Sequence, residues 1–446
     1  MSMTSPRFWL LALALLGPAT AASAQTLGTG LPTRTLLDRY GLERAWANQA
    51  TINVQSDVVT YLYADEEVVV VQTRSGLLTV FDAETGSRLW DGQLAVPNQY
   101  SYPAVTNADT LFVVIGSRMY ARNKYTGEEL WTLRLPNSPS TAPAVDGQNI
   151  YVGLITGDVY VYNLDKLAAL QERGLLPTWR LDAQVWHVAT SAKIIGPPVT
   201  NGRIAAFTNA QGVLYVFNAD FRQFKFAIET HEPASAPLAL GVGKEDGVNV
   251  TYIYYAAGTN NFYCIRTTDG TTKWKYVSGA PIRAQPTIIH DDIYITPVDS
   301  GLYKLNPDTG DIAWWSPVVR EFVAASPTRI YGTDSAGNLA IIGREDGGLV
   351  GTIPLQEYSI RVNNARTDRI FVCTTRGRVA CFKEQDIDQP LFHAKPARRP
   401  ILPIFPGEDV IQAPGSEPAP EEEAAPGEDP APAEEAAPVT GEEPAA

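Results

Sequence analysis

Short runs of Val, Ile, Leu, Tyr and Phe follow one another along most of this chain, interrupted by Gly-containing turns. Val68-Val-Val-Val-Gln-Thr73, then Arg74-Ser-Gly76, then Leu77-Leu-Thr-Val-Phe81 is the clearest case. Two β-branched or aromatic runs joined by a short turn with Gly predict a β-hairpin. Equivalent hairpins are predicted to begin near Leu111, Ile150, Ile204, Tyr252, Ile293, Ile330 and Ile370, which makes eight. Upstream of most of them lies a segment with a small residue and a Pro, such as Tyr102-Pro-Ala-Val105, Ala142-Pro-Ala-Val145 and Ser326-Pro-Thr328. Pro cannot donate to a ladder, so this segment reads as a strand with one unpaired edge.

After four of the hairpins comes a phrase with Gly four residues before a Trp. Asp82-Ala-Glu-Thr-Gly86-Ser-Arg-Leu-Trp90 is one copy; Gly127 with Trp131, Gly270 with Trp274 and Gly310 with Trp314 are others. The spacing predicts a turn and a fourth strand bearing the aromatic, the position being filled by Trp90, Trp131, Trp179, Phe226, Trp274 and Trp314, with Val350 as a weak substitute. A period of about 40 residues marks units that cannot bury their own apolar faces and must pack on their neighbours. The eighth hairpin, Arg369 to Phe382, has no such phrase after it, and an orphan copy, Gly41-Leu-Glu-Arg-Ala-Trp46, stands at the other end. Pairing the Trp46 strand with the last hairpin closes the ring and removes exposed sheet edges. The predicted fold is all-β: an eight-bladed propeller of four-stranded antiparallel blades over residues 36–385.

The ends differ from the ring. Arg7, the apolar run Phe8 to Leu16, and Ala22-Ser-Ala24 before Gln25 match a secretory signal over residues 1–24, with cleavage near Ala24-Gln25. A linker is expected over 25–35. The first Cys is Cys264, so the Cys needed for a lipid anchor at the cleavage site is missing. From residue 386 to 446 Pro, Ala and Glu dominate, and Gly407 to Ala446 holds twelve acidic residues and no basic one. Such composition predicts a disordered tail. It also carries most of the net charge of −14, leaving the ring close to neutral. Acidity therefore says nothing about what the ring binds, and near-neutrality with an export signal speaks against nucleic acid.

The combination of hairpin, Asp-x-x-Thr-Gly-x-x-x-Trp and small-Pro segment resembles the pyrroloquinoline-quinone-type (PQQ-type) propeller repeat. That family includes quinoprotein alcohol dehydrogenases and the propeller component of the outer-membrane β-barrel assembly machinery, often called BamB. The dehydrogenase side of the resemblance implies PQQ held under a ring of two adjacent cysteines, with Ca²⁺ on carboxylate and amide oxygens. Cys264, Cys373 and Cys381 are all separated, and no loop dense in Asp and Asn offers the six to eight oxygens Ca²⁺ takes. The expectation is therefore no cofactor, no metal and no catalytic residue, with a PQQ-dependent dehydrogenase or a degenerate cofactor-binding relative as the alternative. The BamB-like side implies an exported scaffold, periplasmic or secreted, binding protein partners in the cell envelope as a monomer.

The remaining candidates are local. Leu164-Asp-Lys-Leu-Ala-Ala-Leu-Gln-Glu-Arg-Gly-Leu-Leu-Pro177 replaces the third Thr-Gly turn, and the spacing of Leu164, Leu167, Ala168 and Leu170 predicts one or two helical turns. Leu167 and Leu170 on this insert, with Trp186 and His187 after it, are candidates for a partner surface. Glu66-Glu67, Lys244-Glu-Asp246 and His290-Asp-Asp292 read as solvated turn charges. Cys373 faces Cys381 across the last hairpin and can pair with it if the register allows.

Overall fold

The computed structural model describes residues 30–94, 99–176, 180–230, 232–245 and 247–394. Each predicted hairpin forms, flanked by an inner and an outer strand, giving eight four-stranded antiparallel sheets. Blade 1 runs Val59–Ala64, Val68–Thr73, Leu77–Asp82 and Arg88–Gln93 from the inside outward. Its second strand is buried at every position, Val68 to Val71 being fully so. A strand covered on both faces has no need of polar alternation, which is why these runs read as continuously apolar rather than period-two.

Ring closure follows the prediction. The strand Leu42–Gln49 pairs antiparallel with Arg378–Glu384, Leu42 opposite Glu384 and Gln49 opposite Arg378. It is the outer strand of blade 8, whose other strands are Ile360–Arg361, Ile370–Cys373 and Arg378–Glu384. The inner strands of blades 2, 3, 6 and 8 are short, as in Val105–Thr106 and Ala144–Val145. In blade 4 the inner strand Ile194–Thr200 contains Pro197 and Pro198, and its register slips between Ile195 and Val199, where Pro has no N–H to give.

Four expectations need correction. The outer strand of blade 3 is Gln184–Ala189, with Trp186 opposite Val161 in the place held by Trp90 opposite Val80 in blade 1. Trp179 lies outside the described residues and outside that strand, because helix α2 (Leu164–Glu172, following helix α1, Arg34–Arg39) and a 3₁₀ turn, Arg180–Ala183, push the repeat position downstream. In blade 7 the position falls on Gly351, opposite Ile341, and not on the exposed Val350. Residues 386–394, given to the tail by composition, pack on blade 8: Phe392 bridges Thr367, Leu391 N–H donates to Asp368 Oδ1, and Phe392 and His393 are buried. Finally, Cys373 pairs in register with Val379 and Cys381 with Phe371, so the two thiols are offset and all three cysteines are free and buried.

Candidate interaction surface

The repeated phrase works between blades. Five outer-strand aromatics lie on the Gly of the next blade's turn: Trp46 on Gly86, Trp90 on Gly127, Phe226 on Gly270, Trp274 on Gly310 and Trp314 on Gly347. A Cβ on Gly310 would stand 2.6 Å from the Trp274 ring, and its φ of +78° already disfavours any other residue. Four of these five rings are Trp, and each donates its indole N–H to a carbonyl in the same turn: Trp46 to Ala83, Trp90 to Lys124, Trp274 to Pro307, and Trp314 to Arg344, at 2.9–3.1 Å. A buried indole N–H needs such a partner.

The predicted partner-surface residues fall elsewhere. Asn163 caps α2 by accepting the N–H of Lys166, and Gly174 ends it with φ +65°. Leu167 and Leu170 turn inward and pack with Trp131 in one apolar cluster, so α2 takes the place of the missing Thr-Gly turn. Trp186 is buried and donates to Ala219 O at 2.9 Å. These three are joint residues, and the expectation of an exposed recognition patch on them is withdrawn. His187 is partly exposed, stacked 4.3 Å from the Tyr160 ring centre and 2.7 Å from Asp158 Oδ1.

Of the predicted turn charges, Lys244, His290 and Asp291 are exposed as expected, and Asp246 lies outside the described residues. Glu67, Glu245 and Asp292 are instead held by partners. Asp65, Glu67 and Lys124 are buried, with Lys124 Nζ 3.2 Å from Asp65 Oδ2 and 2.7 Å from Glu67 Oε2. Asp65 also accepts Glu67 N–H, Val68 N–H and the Thr106 hydroxyl; Glu67 also accepts the Tyr125 hydroxyl. Burial disfavours the Lys124 cation, but the two carboxylates outweigh it and raise its pKa to about 12. Burial and Glu67 push the Tyr125 phenol up to about 12 as well. Asp292 joins Lys304, Arg344 and the Tyr294 hydroxyl; burial works against its charge, yet these bonds hold its carboxyl below the ordinary range. Glu245 accepts two bonds from Arg266 and one from Tyr252. Nothing local in the sequence marks these partners, which lie up to 59 residues apart.

These charges share one face of the ring, that of the Thr-Gly turns. Blade 5 carries its inner hairpin furthest: Ala239–Glu245 pairs with Val248–Ala256 down to Glu245 opposite Val248, exposing Val242 and Val248. At the inner strands lies a cavity of about 340 Å³ floored by Pro143, Pro198, Val199 and Leu240 and edged by Tyr63, Thr106, Thr200 and Arg366. A second, of about 360 Å³, lies beside the Asp65–Lys124 cluster, and Arg366 lines both. Arg366 is exposed into this space, its guanidinium 5.9 Å from the Tyr63 ring centre.

The residues here do not form a quinone and Ca²⁺ site. The three cysteines lie inside the strands of blades 5 and 8, Asp65 and Glu67 are committed to Lys124, and the described residues hold no cluster of three metal-binding side chains.

The fold thus defines a PQQ-like eight-bladed propeller whose blades are joined ring to turn. The sequence profile of the family described as "Outer membrane protein assembly factor BamB" matches residues 99–220 and 182–412, and the chain belongs to that family. Among solved structures it is similar to BamB from Moraxella catarrhalis, at 15% identity and a TM-score of 0.56, over 77% of this chain and 97% of that one. It is also similar to the computationally designed Ika8 protein, at 12% identity and 0.57, over 76% and 98%. No curated protein matches it. Among the described residues, no helix is long and apolar enough to cross a membrane.

Proposed function

We propose that this protein is a non-catalytic scaffold, exported through the signal at residues 1–24, that binds protein partners of the cell envelope during outer-membrane protein assembly. The observation that carries this reading is the BamB family match across the blades. The face of the Thr-Gly turns is the binding face: its blade 5 hairpin projects exposed Val242 and Val248, with Glu245, Arg266 and Tyr252 bracing the base. Interfaces sit on loops held by a rigid frame, and small exposed apolar groups beside braced charges suit protein contact. The test is photo-crosslinking in cells from positions 242 and 248, compared with Ile155 and Val298 on the opposite, hairpin face. Outer-membrane barrel proteins or their assembly partners captured from the first pair alone support the reading. Capture from neither pair, or equally from both, overturns it.

A further inference from the structure

We infer that the axial cavity is a binding site for a single carboxylate carried on a small apolar body. Of the residues lining it, Arg366 is the only charged one. Its guanidinium makes no hydrogen bond or ion pair with a described residue; it lies 5.9 Å from the Tyr63 ring centre, and Tyr63, Asp65 and Glu66 favour its charge. Its five N–H donors are therefore without a hydrogen-bond partner beside the two cavities that it lines. The other polar groups there are already engaged. The Tyr63 hydroxyl meets Thr106 Oγ1 at 3.0 Å, Thr106 donates to Asp65, Thr200 donates to Asp146, and Gln285 donates to Leu238 O.

The acids nearest Arg366, Asp65 and Glu66, favour its charge but make no bond to it. Asp65 is spent on Lys124, Thr106 and two backbone N–H groups, and with Glu66 it lies toward the second cavity. One planar fork suits one planar carboxylate, which it can hold through two parallel bonds. A phosphate or sulfate would leave most of its oxygens without donors. The floor of Pro143, Pro198, Val199 and Leu240 gives the apolar body its place, and an apolar pocket with few directed polar groups is the usual form of a small-molecule site. The carboxylate can belong to a free organic acid or to the C-terminus of a peptide. Neither source depends on the scaffold reading above.

The experiment is a calorimetric titration of the full chain with octanoate, phenylacetate and N-acetyl-Ala-Phe bearing a free carboxylate, each beside its neutral amide. The acids are expected to bind at least about tenfold more tightly than their amides, the worth of one charge-assisted bond pair. Arg366→Gln should level acid and amide, and Arg366→Lys should keep part of the preference. Tighter binding of the dipeptide points to a peptide terminus, and of octanoate or phenylacetate to a free acid. No binding of any acid at millimolar concentration, equal binding of acid and amide, or an unchanged preference in a folded Arg366→Gln overturns the assignment. If that variant does not fold, the wild-type acid-to-amide ratio and Arg366→Lys decide the matter.

Discussion

Five of the eight joints between blades use one device and three use another. From blade 8 to 1, 1 to 2, 4 to 5, 5 to 6 and 6 to 7, an aromatic ring lies flat on the Gly of the neighbouring turn. Between blades 2 and 3 the ring of Trp131 meets helix α2 instead, and between 3 and 4 Trp186 meets a turn built on Ala219. Between 7 and 8 the outer strand has no aromatic: Gly351 stands in the position and Tyr40, from just after helix α1, brings its ring against it. What is kept is an aromatic ring filling the wedge between blades. Which strand supplies it, and what it rests on, can change.

The sharpest way to break this comparison is to remove a ring from each kind of joint. Trp274→Ala should cost about 3–5 kcal/mol, since it opens a cavity and strands the Pro307 carbonyl. Tyr40→Ala should cost about half as much, because Tyr40 is only partly buried. Chemical denaturation of both variants measures the difference. Equal losses would mean that the joint of blades 7 and 8 is no substitute but a full equivalent.

The joints of blades 1 and 2 carry a second element, the buried Lys124 cluster. Lys124→Met should cost about 3–5 kcal/mol by leaving Asp65 and Glu67 buried without a cation. The pH dependence has a definite sign. The folded pKa of Lys124, about 12, lies above its unfolded value of about 10.4, so its contribution is complete below the latter and is lost as pH rises to about 12. Tyr125, also raised to about 12, loses stability in the same direction. Alkaline denaturation should therefore be shallower in Lys124→Met than in the wild type, with a residual slope from Tyr125.

Blade 8, where the chain ends meet, adds a clasp at residues 386–394. His393 is buried there, and burial, then Arg344 and His290, lower its pKa to about 4. Its neutral form stabilises the fold above the unfolded pKa of about 6.5, and that contribution is lost as pH falls from 6.5 to about 4. The loss should reach about 3 kcal/mol. His393→Gln should flatten the stability curve across this window; an unchanged curve would place the acid sensitivity elsewhere.

How much of this could be read from the sequence depends on how local each device is. The hairpins, the Gly-to-Trp phrase and the orphan Trp46 strand repeat, and repetition carried the blade count and the ring closure. Trp186 was misplaced because α2 lengthens one turn and Trp179 happens to fall near the expected spacing. Glu67 and Asp292 read as turn charges because their partners arrive from other strands and blades. The 386–394 clasp was hidden by a change of composition that begins before the packed chain stops. Arg366 had no repeat and no motif, only the axis that brings the inner turns together.

The finest test concerns the one joint without its own ring. A Cβ on Gly351 would lie 2.2 Å from the Tyr40 ring, and Gly351 has no left-handed backbone to forbid a side chain. Gly351→Ala should therefore destabilise through this contact alone, by about 1–2 kcal/mol. In the Tyr40→Ala background the same change has room, and its cost should vanish. The double-mutant cycle should thus show a coupling near 1 kcal/mol or above. Additive costs would mean that Tyr40 does not occupy the wedge, and that the seventh joint is held by the strands alone.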